Sequence, residues 1–296
     1  MRSRTRAAIL GAALMALLVV AAPAAAEPTW APAGEADIRP GSMTFTEGGQ
    51  CTSNFVFFDA EDNVYIGQAA HCAGTGGATA TNGCDTESLP LGTEVEIEGA
   101  EQPGTLAYSS WLAMQEVDET DPNACMFNDF ALVKLDPADV ASTNPSVPFF
   151  GGPTGIDTDG TEMGESVYSY GSSELLLGQF SPKTGESLGT TGEGWTHPVL
   201  TFPPGVPGDS GSAYLTDGGS ALGVLSTVTI LGPAPGSNGV SDLNLALDYA
   251  NAHGGLGTLE LVPGTEPFDA GGSAGGLGSL GGGLGGLGGL GTLLPS

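Results

Sequence analysis

Glycine and proline occur along the whole length of this sequence, at 50 and 21 of its 296 positions, and restrict its possible folds most strongly. Neither residue is well tolerated inside a helix, because glycine is conformationally too free and proline lacks the N–H group that the helix needs. Short runs of β-branched and aromatic residues lie between them. This pattern predicts many short strands and excludes a helical bundle.

Several of these runs predict individual strands. Residues 54–58 and 64–66 flank a polar turn, and residues 94–98 alternate with period two, as a half-buried strand does. Further strands are predicted in three segments: 130–133, 166–170 and 221–230. Many strands without helical periods between them indicate an antiparallel sandwich or barrel.

One helix is predicted near the end of this region. Ser241 can cap a helix that runs over 242–252, and the glycines at 254 and 255 would end it. His253 would lie at its C-terminal end, where a cation interacts favourably with the helix dipole, so we assign His253 a structural role.

The first 26 residues have the features of a secretory signal peptide. Three arginines within the first six residues are followed by an apolar run over 7–20 and by small residues up to Ala26. The apolar run is shorter than the roughly 20 residues of a membrane span, so we favour export over an anchor. We predict secretion with cleavage near Ala26, followed by a short spacer or pro-segment over 27–42.

Beyond residue 26 the chain carries 3 cationic and 34 anionic side chains, a formal charge of −31. Such a surface repels phosphate backbones and anionic lipid headgroups. We therefore expect no nucleic-acid partner and no peripheral membrane binding, and we expect a monomer.

The C-terminal residues differ in composition from the rest of the chain. Half of residues 271–296 are glycine, seven are leucine and none is charged. Glycine costs about 1 kcal/mol per helical position relative to alanine, which disfavours an isolated helix. We predict a Gly/Leu-rich low-complexity tail over 264–296. It is either a disordered segment or one that self-associates or contacts the cell envelope.

An even number of cysteines in an exported chain predicts two disulfides. The cysteines are Cys51, Cys72, Cys84 and Cys125, and their spacing leaves all three pairings open. There is no Cys-x-x-Cys, which weakens a zinc or redox interpretation. The acidic loops at 118–121 and 157–162 are interpreted as solvated, because the second lacks the spacing of a calcium-binding EF-hand. We expect neither a metal nor a cofactor.

Three segments carry the residue types of an acyl-transfer site. His71 follows a predicted strand, Asp129 precedes a short apolar run, and Ser210 lies in a turn flanked by glycines. A serine hydroxyl is a poor nucleophile until a base takes its proton. A neutral histidine is such a base, and a buried carboxylate fixes its tautomer. The glycines allow backbone N–H groups to face an oxyanion, and each such donor stabilises the transition state by about 3 kcal/mol.

The order His, Asp, Ser on an exported all-β chain favours catalysis over three unrelated structural residues. With motifs at 69–72, 129–133 and 208–211, the chain resembles the chymotrypsin-like, trypsin-type serine endopeptidases, particularly the secreted bacterial ones, over about 43–255. The resemblance implies an all-β fold of two antiparallel six-stranded β-barrels, with the active site in the cleft between them and a C-terminal helix. We predict that this peptidase domain spans residues 43–263.

The resemblance also implies the roles of the site residues. His71 would be the general base, Asp129 would orient it, and Ser210 would be the nucleophile that forms an acyl-enzyme. The backbone N–H groups of Gly208 and Ser210 would form the oxyanion hole. The substrate would be a protein or peptide. Members of the family commonly link the cysteine after the histidine to the preceding strand, which here implies Cys72–Cys51.

Substrate preference follows from the same resemblance. Pro204, six residues before the nucleophile, would lie at the base of the specificity pocket, and no acid nearby would select Lys or Arg. Ser226 corresponds to the serine that binds the substrate backbone, and Val228 stands where many relatives have glycine. Leu225 occupies the place of the histidine found in glutamate-specific members. We expect cleavage after small or medium apolar residues.

Two further features concern activation and an additional histidine. Relatives activated by tryptic clipping bury a new N-terminal amine against the aspartate before the nucleophile, here Asp209. Because Arg39 is followed by proline, the bond after it is a poor site for tryptic cleavage, and we expect Arg39 or Lys183 to neutralise Asp209 instead.

His197 could line the pocket, but we assign it to a loop.

Two other functions compete with this interpretation. An esterase is disfavoured because the Gly-x-Ser-x-Gly pattern is not matched around Ser210. The principal alternative is a catalytically inactive protease-like module that binds a partner or the envelope. The intact motifs argue against it, whereas the tail leaves it open.

Overall fold

The computed structural model describes these residues of the chain: 28–77, 80–177, 179, 181–229 and 235–272. The predicted signal peptide and the tail from residue 273 onward lie outside the described residues. Within those ranges, no helix combines the length and the apolar character that crossing a membrane requires.

The described residues form fourteen strands and three α-helices. The strands of the N-terminal half are β1 (Met43–Thr46), β2 (Gly49–Thr52), β3 (Val56–Asp59), β4 (Val64–Gln68), β5 (Glu94–Ile97), β6 (Gly104–Ser109) and β7 (Ala131–Lys134). Those that follow are β8 (Met163–Tyr170), β9 (Pro182–Leu188), β10 (Thr196–Phe202), β11 (Ala213–Leu215), β12 (Ala221–Val228), β13 (Asn238–Asp242) and β14 (Leu259–Leu261). The helices are α1 (Ser110–Glu116), α2 (Pro122–Phe127) and α3 (Leu243–His253).

The strands form two antiparallel units. One is an eight-stranded sheet in the order β14–β3–β4–β7–β6–β5–β1–β2, and the other is a closed barrel in the order β10–β13–β12–β11–β8–β9. The two-unit, all-β prediction is confirmed, and the second barrel has the six strands expected. The first unit has more than six strands, in part because β14 comes from the C-terminal end of the chain and pairs with β3.

Alternating burial explains why these short runs form strands. In β5, Glu94 and Glu96 are exposed while Val95 and Ile97 are buried, so one face packs on the core and the other meets water. The core of the first unit is aromatic. The rings of Phe57 and Phe130 pack edge to face with centroids 5.4 Å apart.

The helix predicted over 242–252 is confirmed as α3, with a different cap. The side chain of Asp242 accepts a hydrogen bond from the N–H of Leu245 at 2.7 Å, whereas the Ser241 hydroxyl accepts one from the N–H of Asp129 at 3.2 Å. The structure adds α1 and α2, which were not predicted. They span only 7 and 6 residues, too few for a helical period to emerge from the sequence.

Both ends of the described chain contact the linker between the two units. The N–H of Ala31 donates to the carbonyl of Thr143 at 3.0 Å, and the N–H of Gly264 donates to the carbonyl of Pro153 at 2.8 Å. The Phe268 ring packs edge to face on Tyr168, with centroids 5.3 Å apart. Packed residues therefore occur outside 43–263 at both ends.

Candidate active site

His71 lies immediately after β4, in a 3₁₀ turn over Ala70–Ala73. Its ring Nδ1 lies 2.7 Å from Oδ2 of Asp129, and its backbone N–H donates to Oδ1 of the same carboxylate at 2.9 Å. Both oxygens of Asp129 thus fix the histidine. Because Nδ1 is engaged by the carboxylate, the ring carries its proton there and Nε2 remains the basic nitrogen.

Asp129 lies between α2 and β7, and its side chain is almost fully buried. Besides His71, its Oδ2 accepts a hydrogen bond from the Ser226 hydroxyl at 2.6 Å. Ser226, which the sequence analysis predicted to bind the substrate backbone, is a hydrogen-bond donor to the carboxylate in this structure.

His71 and Asp129 each shift the pKa of the other toward the charged form. Burial by itself lowers the pKa of His71, but the charge and the hydrogen bond of Asp129 outweigh it and raise that pKa above its ordinary value. Burial raises the pKa of Asp129, yet the His71 ring and the Ser226 hydroxyl lower it below its ordinary value. The geometry thus favours an ionised aspartate beside a histidine with enhanced basicity.

The turn that carries Ser210 is docked onto the first unit. The carbonyl of Ser210 accepts a hydrogen bond from the N–H of Thr52 at 2.8 Å, and the carbonyl of Gly211 accepts one from the Asn54 side chain at 3.0 Å. Gly211 has a φ of +92°, and a Cβ atom there would collide with the Thr52 carbonyl and the backbone of Ala69. Only glycine allows the turn to approach the strand end before His71 so closely.

His71, Asp129 and Ser210 all line one cavity of about 790 Å³ between the two units. Gly208 also lines it, and its φ of +96° again requires glycine. Among the hydrogen bonds of the described residues, neither the Gly208 nor the Ser210 N–H has an acceptor in the protein. The two N–H groups predicted to form the oxyanion hole therefore have no competing acceptor among the described residues.

Val228, Ser226 and Leu225, which the sequence analysis related to the specificity pocket, line the same cavity. Pro204 does not line it, although we predicted it at the base. Asn238 does line the cavity, and its Oδ1 accepts from the Gly205 N–H at 2.8 Å while its Nδ2 donates to the Gly205 carbonyl at 3.1 Å. Nothing local in the sequence signals this contact, since it joins residues 33 positions apart.

The cysteines form both sequential pairs. The Cys51–Cys72 disulfide, implied by the family resemblance, joins β2 to the residue after His71. The second, Cys84–Cys125, joins the loop after the histidine to α2, which precedes Asp129. The two cross-links hold the segments that carry the histidine and the aspartate.

Asp209 is paired with Lys183, one of the two candidates from the sequence. The Lys183 Nζ lies 3.2 Å from the Asp209 Oδ2, and both side chains are fully buried. The carboxylate also accepts from the N–H groups of Val206 at 3.0 Å and Ser173 at 3.1 Å. The other candidate, Arg39, donates instead to the carbonyl of Ala33 at 3.4 Å.

The assignment of His197 to a loop is wrong. His197 lies in β10 and is fully buried, with its ring nitrogens bonded to Asp242 at 2.9 Å and Thr190 at 3.0 Å. These two partners satisfy the hydrogen-bonding capacity of the buried ring. His253 ends α3 and is exposed, with its ring centroid 4.5 Å from that of Tyr249.

Among the described residues, one cluster combines three potential metal ligands: Cys51, His71 and Cys72. The two cysteines form a disulfide, so their sulfurs are not thiolates and cannot bind a metal as such. The cluster therefore does not constitute a metal site.

No family model matches the chain, and no curated protein matches it. Among solved structures, protease A of Thermobifida fusca is 21% identical, with 77% of this chain and 99% of that chain covered and a TM-score of 0.50. The Nocardiopsis protease is 19% identical (76% and 99% covered, TM-score 0.48). The chymotrypsin of Cellulomonas bogoriensis is also 19% identical (76% and 98% covered, TM-score 0.44). The two antiparallel units and the likeness to the Thermobifida protease show that this chain has the two-barrel, chymotrypsin-like fold of the bacterial serine proteases.

Proposed function

We propose that the protein is a serine endopeptidase that hydrolyses peptide bonds through an acyl-enzyme on Ser210. The observation that carries this proposal is the 2.7 Å contact between His71 Nδ1 and Asp129 Oδ2, in a cavity that Ser210 also lines. It supplies a histidine with an engaged Nδ1, a buried orienting carboxylate and a serine in one cleft. A binding module would not require this combination.

The reaction follows from the positions of these groups. The Ser210 hydroxyl attacks the substrate carbonyl carbon while its proton passes to Nε2 of His71. The carbonyl oxygen becomes an oxyanion and accepts hydrogen bonds from the Gly208 and Ser210 N–H groups. His71 then gives the proton to the leaving amine as the C–N bond breaks. Water repeats these steps on the acyl-enzyme, releasing the acid and restoring Ser210.

Labelling with a serine-directed fluorophosphonate tests the proposal. The parent chain should be labelled and should hydrolyse peptides, and Ser210→Ala should lose both properties. Ser212→Ala is a matched control, because Ser212 is a fully buried serine two residues away with its hydroxyl 3.5 Å from that of Ser169. It should retain the label. An unlabelled, inactive parent chain would favour the binding or envelope-associated module.

We also propose that the enzyme is secreted, monomeric and free of cofactors, and that it acts on proteins or peptides. Two formed disulfides are typical of an oxidising compartment, and the first 26 residues have the features of a signal peptide.

Activity should depend on the protonation of His71. The base must be neutral to accept the Ser210 proton, and the raised pKa of His71 moves its deprotonation above the ordinary value of about 6.5. We expect kcat/KM to rise with pH through an apparent pKa above that value and to fall as acid protonates the ring. Initial rates from pH 4 to 9 measure this, with circular dichroism confirming that the fold persists. A profile flat down to pH 4 would contradict it.

Substrate preference should follow the size of the specificity pocket. We propose cleavage after small or medium apolar residues, because Val228 lines the cavity with a branched side chain where many relatives have glycine, and none of the residues expected at the pocket is acidic. A smaller cavity of about 290 Å³ shares Ser226 and Asn238 and could receive further substrate residues.

Val228→Gly should widen this pocket. We expect kcat/KM for phenylalanine before the scissile bond to rise about tenfold relative to alanine, the usual scale of size discrimination. A peptide library measures the ratio. Val117→Gly is the control, because Val117 is similarly exposed (43% against 38%) and does not line the cavity. A parent chain that cleaves fastest after Arg or Glu would refute the preference.

A further inference from the structure

The turn that carries the two anion-binding N–H groups is held by a buried serine from another segment. Ser173 is 2% exposed, and its hydroxyl donates to the carbonyl of Pro207 at 2.6 Å. The same oxygen accepts from the N–H of Leu175 at 3.2 Å. A hydroxyl has one hydrogen to donate, so that hydrogen is committed to Pro207.

The Pro207 carbonyl and the Gly208 N–H belong to one trans peptide group, so they point in opposite directions. Because Ser173 binds the Pro207 oxygen, the Gly208 N–H points away from Ser173, and both Gly208 and Ser210 line the cavity. If this peptide rotated, a carbonyl oxygen would replace the donor and would repel an oxyanion.

The next peptide group is held from the opposite unit. The carbonyl of Gly208 accepts from Nε2 of Gln50 at 2.9 Å and from Oγ1 of Thr52 at 2.8 Å, and both residues lie on β2. The N–H of the same peptide group, from Asp209, donates to the carbonyl of Val206 at 2.9 Å. Both peptide planes of Gly208 are therefore fixed by partners other than substrate.

We infer that Ser173 is a positioning residue for the oxyanion hole, and that Gln50 and Thr52 provide a second support from the other barrel. The inference rests on the proposed function. Ser173 is the side-chain donor to the Pro207 carbonyl, whereas two donors share the Gly208 carbonyl. Loss of Ser173 should therefore cost more activity than loss of either partner on β2.

The test is the kinetics of Ser173→Ala, with kcat normalised to the sites that fluorophosphonate titrates. We expect kcat to fall about 10- to 100-fold with KM within about twofold, because the misdirected donor matters only when the oxyanion forms. Affinity for a peptide aldehyde, whose adduct places an oxygen in the hole, should fall in proportion. Ser173→Thr keeps the hydroxyl and should recover most of both.

Ser187→Ala is the matched control, since Ser187 is a fully buried serine outside the cleft whose hydroxyl contacts that of Thr161 at 2.7 Å. It should leave kcat per site unchanged. If Ser173→Ala does not fold, Gln50→Ala and Thr52→Val give the same test. Each single substitution should lower kcat per titrated site a few-fold, and the double variant should lower it about as much as predicted for Ser173→Ala.

The inference would be overturned if Ser173→Ala, or the Gln50/Thr52 double variant, kept both the kcat per titrated site and the aldehyde affinity of the parent chain. A parent chain that neither hydrolyses peptides nor labels would instead overturn the proposed function, and this inference with it.

Discussion

Replacing Ser210 with alanine should remove nearly all peptide-bond hydrolysis, with a loss of about 10⁶-fold in kcat. The variant has no hydroxyl to form the acyl-enzyme. The two N–H donors, from Gly208 and Ser210, keep their backbone positions and can still stabilise attack by water. A residual rate about 10³-fold above that of the uncatalysed reaction is therefore expected. Steady-state hydrolysis of a chromogenic peptide amide, with the parent chain at matched concentration, measures the loss.

His71→Ala should lower kcat about as much as Ser210→Ala does. The double variant, which carries both substitutions, should lower kcat no more than either single substitution. The residues act as one unit, since neither the base nor the nucleophile is useful without the other. Asp129→Asn should cost about 10⁴-fold, because the amide can hold the ring in the wrong tautomer. Single losses that multiply in the double variant would show that Ser210 and His71 act independently and would contradict the assignment.

The sequence was sufficient to predict those parts of the site whose residue types are distinctive. Histidine, aspartate and serine in motifs with characteristic neighbours placed His71, Asp129 and Ser210, and the structure brings all three to one cavity. Alternating and apolar runs placed six of the fourteen strands of the described residues, because burial on one face imposes period two. Short helices such as α1 lacked enough residues to show a period.

The contacts that support the site could not be predicted, because they join distant segments through common residue types. Gln50 lies 158 positions from Gly208, and Ser173 lies 34 from Pro207. A single glutamine or serine has no local signal for such a partner. The end of the chain shows the same limit, since nothing in residues 259–261 identifies β3 as the strand with which β14 pairs.

The pairing of Asp209 was narrowed to two cations by composition, because the chain has only three beyond residue 26. Choosing between Arg39 and Lys183 required the structure. Lys183 lies on β9 and places its ammonium group beside the residue that precedes the nucleophile. An internal lysine thus supplies the cation beside Asp209.

Lys183→Met should strongly destabilise the folded chain. It would leave the Asp209 carboxylate fully buried without its cationic partner, which costs about 3–5 kcal/mol. The hydrogen bonds from Val206 and Ser173 would remain, so we expect the turn to distort rather than to lose all its contacts. Because Asp209 lies between Gly208 and Ser210, kcat should fall as well. Urea denaturation and hydrolysis by the same preparation measure both effects.

Lys134→Met is the matched control, because it is the same substitution at a partly exposed lysine and should change stability by about 0.5 kcal/mol or less. Adding Asp209→Asn to Lys183→Met removes the unpaired charge and should recover most of the lost stability, since a buried pair replaced by neutral groups is often tolerated. Recovery of stability in the double variant would show that the unpaired Asp209 carboxylate causes the loss of stability in Lys183→Met. If Lys183→Met were as stable as the control, or if the double variant were less stable than Lys183→Met alone, the ion pair would not be what holds this turn, and its distance of 3.2 Å would have no energetic consequence.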